Sequence, residues 1–343
     1  MTSTSRKLFR IAFLLATAAL APAGLHAQSA QTAPPRPQQP AFKIPDNVEV
    51  RDVDIYSEGT RMSGALFSDK GNTGKKLPTI VLAHGWGGVQ ASLRPEAAAF
   101  AQAGYLALTF DYRGWGTSDS KVVLAGKRMP SEVKNWRFTA EVQAVREVVD
   151  PSDMVTDWLN AIAFVVAEPQ GDKDRLGLWG SSLSGGLVLS AAERDPRVKA
   201  IHTQVPGMQG WWAAATPAAR AVIETETTQR ARGELGFPEP GARSGSLRGR
   251  PILFQFANWS PVDDVERIPR VAIEVIVAEK DELLDNKDHG YLVYQRAKGP
   301  KYYEVIPNIT HYGVYNIPEV RSHVRDLALK WFDQYVKNIS GTR

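Results

Sequence analysis

Ser182 lies in the stretch Arg175-Leu-Gly-Leu-Trp-Gly-Ser-Ser-Leu-Ser-Gly-Gly186. An apolar run, Leu176 to Trp179, leads through Gly180-Ser181-Ser182 into an apolar, alanine-rich segment, Leu183 to Glu193. The pattern predicts a buried strand, a tight turn and a helix, with a serine on the turn. Such a turn lifts the hydroxyl clear of the sheet and leaves the N–H of Leu183, at the helix start, to face a developing oxyanion. The chemistry is nucleophilic attack on an acyl carbon. Gly180, two residues before the serine, has no Cβ and lets strand and helix pass closely. The run departs from G-x-S-x-G because Ser184 replaces the second glycine, with Gly185 and Gly186 just after it. Two other readings compete: a register with Ser184 as nucleophile, and a Gly/Ser-rich turn without chemistry.

A serine nucleophile needs a base, and the base an orienting acid. Two later segments supply them at predicted strand ends: Ala278-Glu-Lys-Asp281 and Pro307-Asn-Ile-Thr-His311. His311 is the candidate base, since no other histidine of the six stands on a loop after a late strand. Asp281 is the candidate acid; Asp285, Asp288, Asp263 and Asp264 lie close by in sequence. A second oxyanion donor is expected from His84-Gly85-Trp86-Gly87-Gly88, and the backbone of Trp86 is assigned to it, with His84 a structural hydrogen bonder. Trp86, Trp115, Trp211, Trp212 and Trp259 are candidates to line an apolar substrate site, or simply to pack. No set of histidines and carboxylates shows metal-ligand spacing, so neither a metal nor a cofactor is expected. Gly114 and Gly116 begin a dinucleotide fingerprint that fails at Asp119, and Gly74-Lys75 lacks the spacing of a phosphate loop.

These residues need a scaffold. The 343 residues suffice for one large domain, and 43% hydrophobic with 23% charged residues is an ordinary globular balance. Cysteine is absent, which excludes disulfides and thiolate nucleophiles. Residues 1–27 read as a signal peptide: Arg6, Lys7 and Arg10, then an apolar run, then Ala27 at the cleavage point. The mature chain is therefore expected to be secreted or periplasmic. Without the signal the formal charge falls from +4 to +1, which leaves no basic surface for nucleic acid, and no later stretch is apolar enough to span a membrane. Residues 28–47 are a Pro/Gln-rich lead-in, and residues 48–338 the folded domain. Val48 to Tyr56 and Met62 to Ser68 predict an antiparallel hairpin. From Leu77 onward strands alternate with helices, which predicts an α/β fold with a mostly parallel, doubly wound sheet. Two stretches interrupt the alternation. Residues 121–150 are expected to hold a helix near Thr139 to Val149, and residues about 207–270 a lid with a helix near Pro217 to Arg232. Arg113 is expected to pair locally and Trp115 to stand at the pocket rim. Asn258, Asn308 and Asn338 open glycosylation triplets that matter only in a eukaryotic secretory pathway.

From about Val48 to Val336 the chain resembles the α/β-hydrolase superfamily. The resemblance rests on His84-Gly85, Asp111-x-Arg113-Gly114-x-Gly116-x-Ser118, the turn at Ser182, Asp281 and His311. Within it, Asp174-Arg-Leu-Gly-Leu-Trp-Gly-x-Ser, Asp195-Pro-Arg-Val-Lys-Ala and Gln204-Val-Pro206 are similar to dienelactone-hydrolase-like and polyketide-hydrolase-like enzymes. The resemblance implies Ser-His-Asp hydrolysis through an acyl-enzyme but does not fix the substrate, because this fold hosts many; an ester, lactone or thioester of a small molecule is the expectation. A prolyl-peptidase-like activity and a catalytically silent binding protein are the alternatives.

Overall fold

A computed structural model describes residues 42–126 and 128–338. The expected signal peptide, most of the expected lead-in and the end of the Asn338 triplet lie outside the described residues. Eight strands form the central sheet: β1 (Val48–Ser57), β2 (Thr60–Asp69), β3 (Leu77–Ala83), β4 (Leu106–Phe110), β5 (Gly171–Ser181), β6 (Val198–Gln204), β7 (Ala272–Ala278) and β8 (Lys301–Ile306). Their spatial order is β1-β2-β4-β3-β5-β6-β7-β8. β2 runs antiparallel to β1 and β4, and every other pairing is parallel. The expected hairpin and doubly wound sheet are both present.

Alternation along β3 shows why the sheet is covered on both faces. Ile80 and Leu82 enter one core with Phe100 of α1 (Arg94–Gln102) and Phe332, the last residue of a C-terminal helix, Pro318–Phe332. Val81 and Ala83 enter the other with Trp158 of α2 (Pro151–Ala167) and Leu187 of α3 (Leu183–Arg194). Successive strand residues point to opposite faces, and an apolar side chain the size of leucine stabilises the fold by roughly 1.5–3 kcal/mol when fully buried. The start of α2 is fixed locally: the Asp150 side chain accepts from the N–H groups of Ser152 and Asp153, and Pro151 occupies the first turn. The C-terminal helix ends at Phe332 and widens into a π turn over Asp333–Lys337.

The two insertions are joined to each other. The helix expected over Thr139 to Val149 does not form. Val142–Ala144 pairs with Val122–Leu124 as an antiparallel ribbon, and Val148–Val149 pairs in parallel with Arg250–Pro251 of the second insertion. Val142, Val145, Val148 and Val149 are β-branched and suit extended backbone, and Glu147 has a left-handed φ of 56° that no helix accommodates. Within the second insertion, α4 (Pro217–Ala231) forms where expected, capped by the Thr216 hydroxyl.

Candidate active site

The turn after β5 holds Ser182 at φ 54°, ψ −124°. A non-glycine residue there costs on the order of 1–3 kcal/mol and persists only when its surroundings enforce it. They do so through three backbone bonds. Ser182 N–H donates to Gln204 O (3.0 Å), while Gly185 and Gly207 N–H both donate to Ser182 O (2.9 Å each). A Cβ on Gly180 would stand 2.4 Å from the Ser184 carbonyl, so α3 can fold back on β5 only over a glycine. The departure at Ser184 has its own cause. Its hydroxyl is fully buried and bonded to Tyr112 Oη (2.8 Å), which in turn accepts from the Trp158 indole (2.9 Å). Ser184 thus serves the core beneath α3.

β7 and β8 deliver the other two groups. Ser182 Oγ stands 3.1 Å from His311 Nε2, and His311 Nδ1 stands 2.9 Å from Asp281 Oδ2. The other Asp281 oxygen accepts N–H bonds from Leu283 and Leu284, each 2.9 Å, which fixes the carboxylate while it faces the imidazole. His311 and the Asp281 side chain are almost fully buried. Of the competing acids, Asp263 bonds Ser260 and Arg296, Asp264 pairs with Arg267, Asp285 accepts from Lys287 N–H, and Asp288 is exposed. The other described histidines are engaged elsewhere. His202 bonds Glu274 (2.6 Å), His323 bonds Glu304 (2.7 Å), and His289 Nδ1 accepts from Met208 N–H (2.9 Å). That last bond requires a neutral ring, and burial holds His289 down to about 4.

The oxyanion candidates flank the serine. Leu183 opens α3, where an N–H has no helical carbonyl to meet. Trp86 follows Gly85, whose ideal Cβ would stand 2.8 Å from both Ser181 O and Ser182 Cβ, so the loop after β3 passes against the nucleophile. The tryptophans separate. Trp86 (5.5 Å between ring centroids), Trp212 (5.4 Å) and Trp259 (6.0 Å) converge on Phe256, a residue absent from the sequence-based expectations. Trp259 donates to Ser190 Oγ on α3 (3.2 Å) and packs there, while Trp211 and Trp212 stay 41% exposed on the second insertion. Trp115 is 2% exposed and donates to Val148 O (3.3 Å), so it lies in the core and not at a rim. Arg113 reaches Asp157, 44 residues away on α2, so its pairing is not local.

Two further groups touch the catalytic candidates and were not read from the sequence. Glu282 accepts from His311 N–H (2.6 Å), securing the backbone of the residue whose ring Asp281 holds. Tyr315 Oη lies 2.6 Å from Ser181 Oγ with its ring 5.9 Å from that of His311, and burial raises its phenol well above the usual value. Glu282 follows Asp281 directly, a position that could have prompted the question; Tyr315 had no such signal. Among the described residues no cluster of three or more metal-ligating side chains is formed, and no helix is long and apolar enough to cross a membrane.

The family model for X-Pro dipeptidyl-peptidases (S15 family) matches residues 58–238, more than half of the chain. The chain belongs to the S15 family. Its fold is that of the α/β hydrolases. It is 35% identical to a 31.7 kDa Escherichia coli protein of the traX-finO intergenic region, over 39% of this chain and 39% of that one, so it spans about two fifths of that relative's length. It is 23% identical to the thiohydrolase aneE of Aspergillus aculeatus over 75% of this chain and 84% of that protein. The structure of the α/β hydrolase GrgF from Penicillium superposes with a TM-score of 0.64 at 17% identity, covering 84% of this chain and 99% of that one.

Proposed function

We propose that this S15-family chain is a serine acyl hydrolase that cleaves a carboxylic ester, lactone or thioester of a small molecule. The observation that carries the reading is the hydrogen-bonded line from Ser182 through His311 to an Asp281 whose second oxygen is already held. In this mechanism His311 Nε2 takes the Ser182 proton as Oγ bonds to the acyl carbon. Asp281 holds Nδ1–H and stabilises the imidazolium. The Leu183 and Trp86 N–H groups take the oxyanion, a contribution worth on the order of 10²–10³ in rate per donor. Collapse breaks the bond to the alkoxide or thiolate, which leaves with the proton from His311. Water then attacks the acyl-enzyme with His311 as base, and Ser182 recovers its proton as the acid departs.

The aromatic group of Trp86, Phe256 and Trp212 beside the oxyanion loop favours an apolar or aromatic acyl or alcohol part. A peptide bond is the second reading, favoured by the family model; a thioester is favoured by the thiohydrolase relative. The test is turnover of p-nitrophenyl esters of rising chain length, an acyl thioester and an X-Pro p-nitroanilide, each beside Ser182→Ala. Ester or thioester turnover abolished by the substitution supports the proposal. Turnover of the anilide alone replaces it with the peptidase reading. The proposal includes export, on the strength of residues 1–27, and Edman sequencing of the mature protein is then expected to begin at Gln28.

A further inference from the structure

We propose that Glu147 is a positioning residue for the oxyanion loop, acting through Arg248 of the lid on Trp86. The inference rests on the reading of Trp86 as an oxyanion donor and extends it to a residue far from the nucleophile. The Trp86 indole N–H donates to the backbone carbonyl of Arg248 (3.0 Å), bridging 162 residues of sequence. Arg248 ends a lid hairpin of only two residues per strand, Arg243–Ser244 with Leu247–Arg248. A ribbon that short does not hold its own geometry. Glu147 holds it. One of its carboxylate oxygens pairs with the Arg248 guanidinium and the other accepts from Gly241 N–H (2.9 Å), while its backbone carbonyl accepts from Arg250 N–H (3.2 Å).

The cost of this arrangement is visible. The Glu147 side chain is 7% exposed whereas that of Arg248 is 60% exposed, so the carboxylate is the buried partner. Burial alone would raise its pKa; the Arg248 and Gly241 bonds outweigh that and keep the carboxyl below its ordinary value. The backbone of Glu147 is left-handed at φ 56°, a conformation rare outside glycine. A strained, buried acid spends nearly all its polar contacts on the lid segment whose carbonyl holds Trp86. Its remaining backbone bond, N–H to Gly114 O (3.1 Å), ties the same point to the loop after β4. The chain of contacts runs from the first insertion to the second and from there to the loop beside Ser182. Its expected target is the orientation of the Trp86 N–H, and hence the transition state more than the bound substrate.

The experiment follows both ends of that chain. The indole N–H resonance of Trp86 is assigned by its loss in Trp86→Phe, which removes the donor and keeps a ring. It is then followed in Glu147→Gln, while kcat and KM on a p-nitrophenyl ester are measured for both variants and the double variant. The expected result is a shifted indole resonance in Glu147→Gln and kcat lower by about tenfold in each single variant, less than the loss from deleting an oxyanion donor outright. KM stays within about twofold, and the double variant is no slower than the slower single one, because both break the same line. An unmoved resonance would overturn the link between Glu147 and Trp86. A moved resonance with unchanged kcat would keep the link and overturn the reading of Trp86 on which it rests. A double variant slower by the product of the two losses would also count against the proposal. Arg248→Ala, which removes an exposed guanidinium and leaves the backbone carbonyl, is expected to shift the same resonance and keeps the test open if Glu147→Gln does not fold.

Discussion

Two histidines stand beside two aspartates at the carboxyl edge of this sheet, and they are equally buried at 2% exposure. His84 lies 3.5 Å from Asp111, and His311 lies 2.9 Å from Asp281. The difference is in what the second ring nitrogen meets. His84 turns Nε2 toward Asp111 without a hydrogen bond, and its second nitrogen, Nδ1–H, donates to Gly85 O (2.9 Å), with the ring edge-on to Tyr112. Burial lowers its pKa, against the pull of Asp111, so the ring is neutral. Asp111 is itself committed to a loop, accepting from Gln90 N–H (2.7 Å) and Thr117 N–H (3.2 Å). His311 is held on Nδ1 by a carboxylate and offers Nε2 to Ser182. Proximity of a histidine to an aspartate therefore does not make a base. A base needs its free nitrogen aimed at a proton it can take.

Substitutions can break this contrast. Ser182→Ala or His311→Gln is expected to lower kcat on a p-nitrophenyl ester by on the order of 10⁴–10⁶-fold, and Asp281→Asn by about 10⁴-fold through the wrong tautomer. Steady-state assays of folded variants check this, and an Asp281→Asn variant retaining most activity would remove the acid from its assigned role. His84→Gln should leave kcat within about tenfold of the parent. Its expected effect is on stability, on the order of 1–3 kcal/mol by chemical denaturation, because a buried polar contact is lost. If His84→Gln silenced turnover as fully as His311→Gln, the distinction between the pairs would collapse.

A third histidine sharpens the contrast by titration. His289 has its folded pKa held down to about 4, below the ordinary value near 6.5. Its folded form is neutral, so the unfolded chain takes up a proton first as pH falls. The resulting loss runs from about pH 6.5 down to about pH 4 and amounts to on the order of 3 kcal/mol. His289→Asn, which can still accept from Met208 N–H through its amide oxygen, should flatten that part of the stability-against-pH curve. Unfolding midpoints measured from pH 7 to pH 4 for both proteins make the comparison. Equal slopes would show that His289 does not carry the effect.

Much of this was legible in the chain itself. Strand and helix alternation gave the sheet, and the positions of Ser182, Asp281 and His311 after predicted strands gave the residues that the fold brings into hydrogen-bond line. Those signals are local: an apolar run, a small-residue turn, an acid or histidine just beyond. The misreadings share a non-local cause. The stretch from Thr139 to Val149 was expected to be helical, but its last strand is fixed by pairing with Arg250–Pro251, about a hundred residues later. Arg113 found its carboxylate on α2, and Trp115 was drawn under the Gly249 backbone, where a Cβ would stand 2.6 Å from its ring. Glu282 and Tyr315 join the site only because the loop after β8 folds back over the loop after β7. Sequence periodicity carries no record of such returns.

The central claim is that Ser182, and not Ser184 or Ser181, is the nucleophile that His311 activates. The most direct measurement is fluorophosphonate labelling of the full chain, followed by digestion and mass spectrometry of the peptide spanning the turn, beside Ser182→Ala and His311→Gln. The expected result is one adduct, on Ser182, absent from the first variant and formed far more slowly in the second. An adduct on a neighbouring serine, or labelling of Ser182 that is indifferent to His311, would contradict the account.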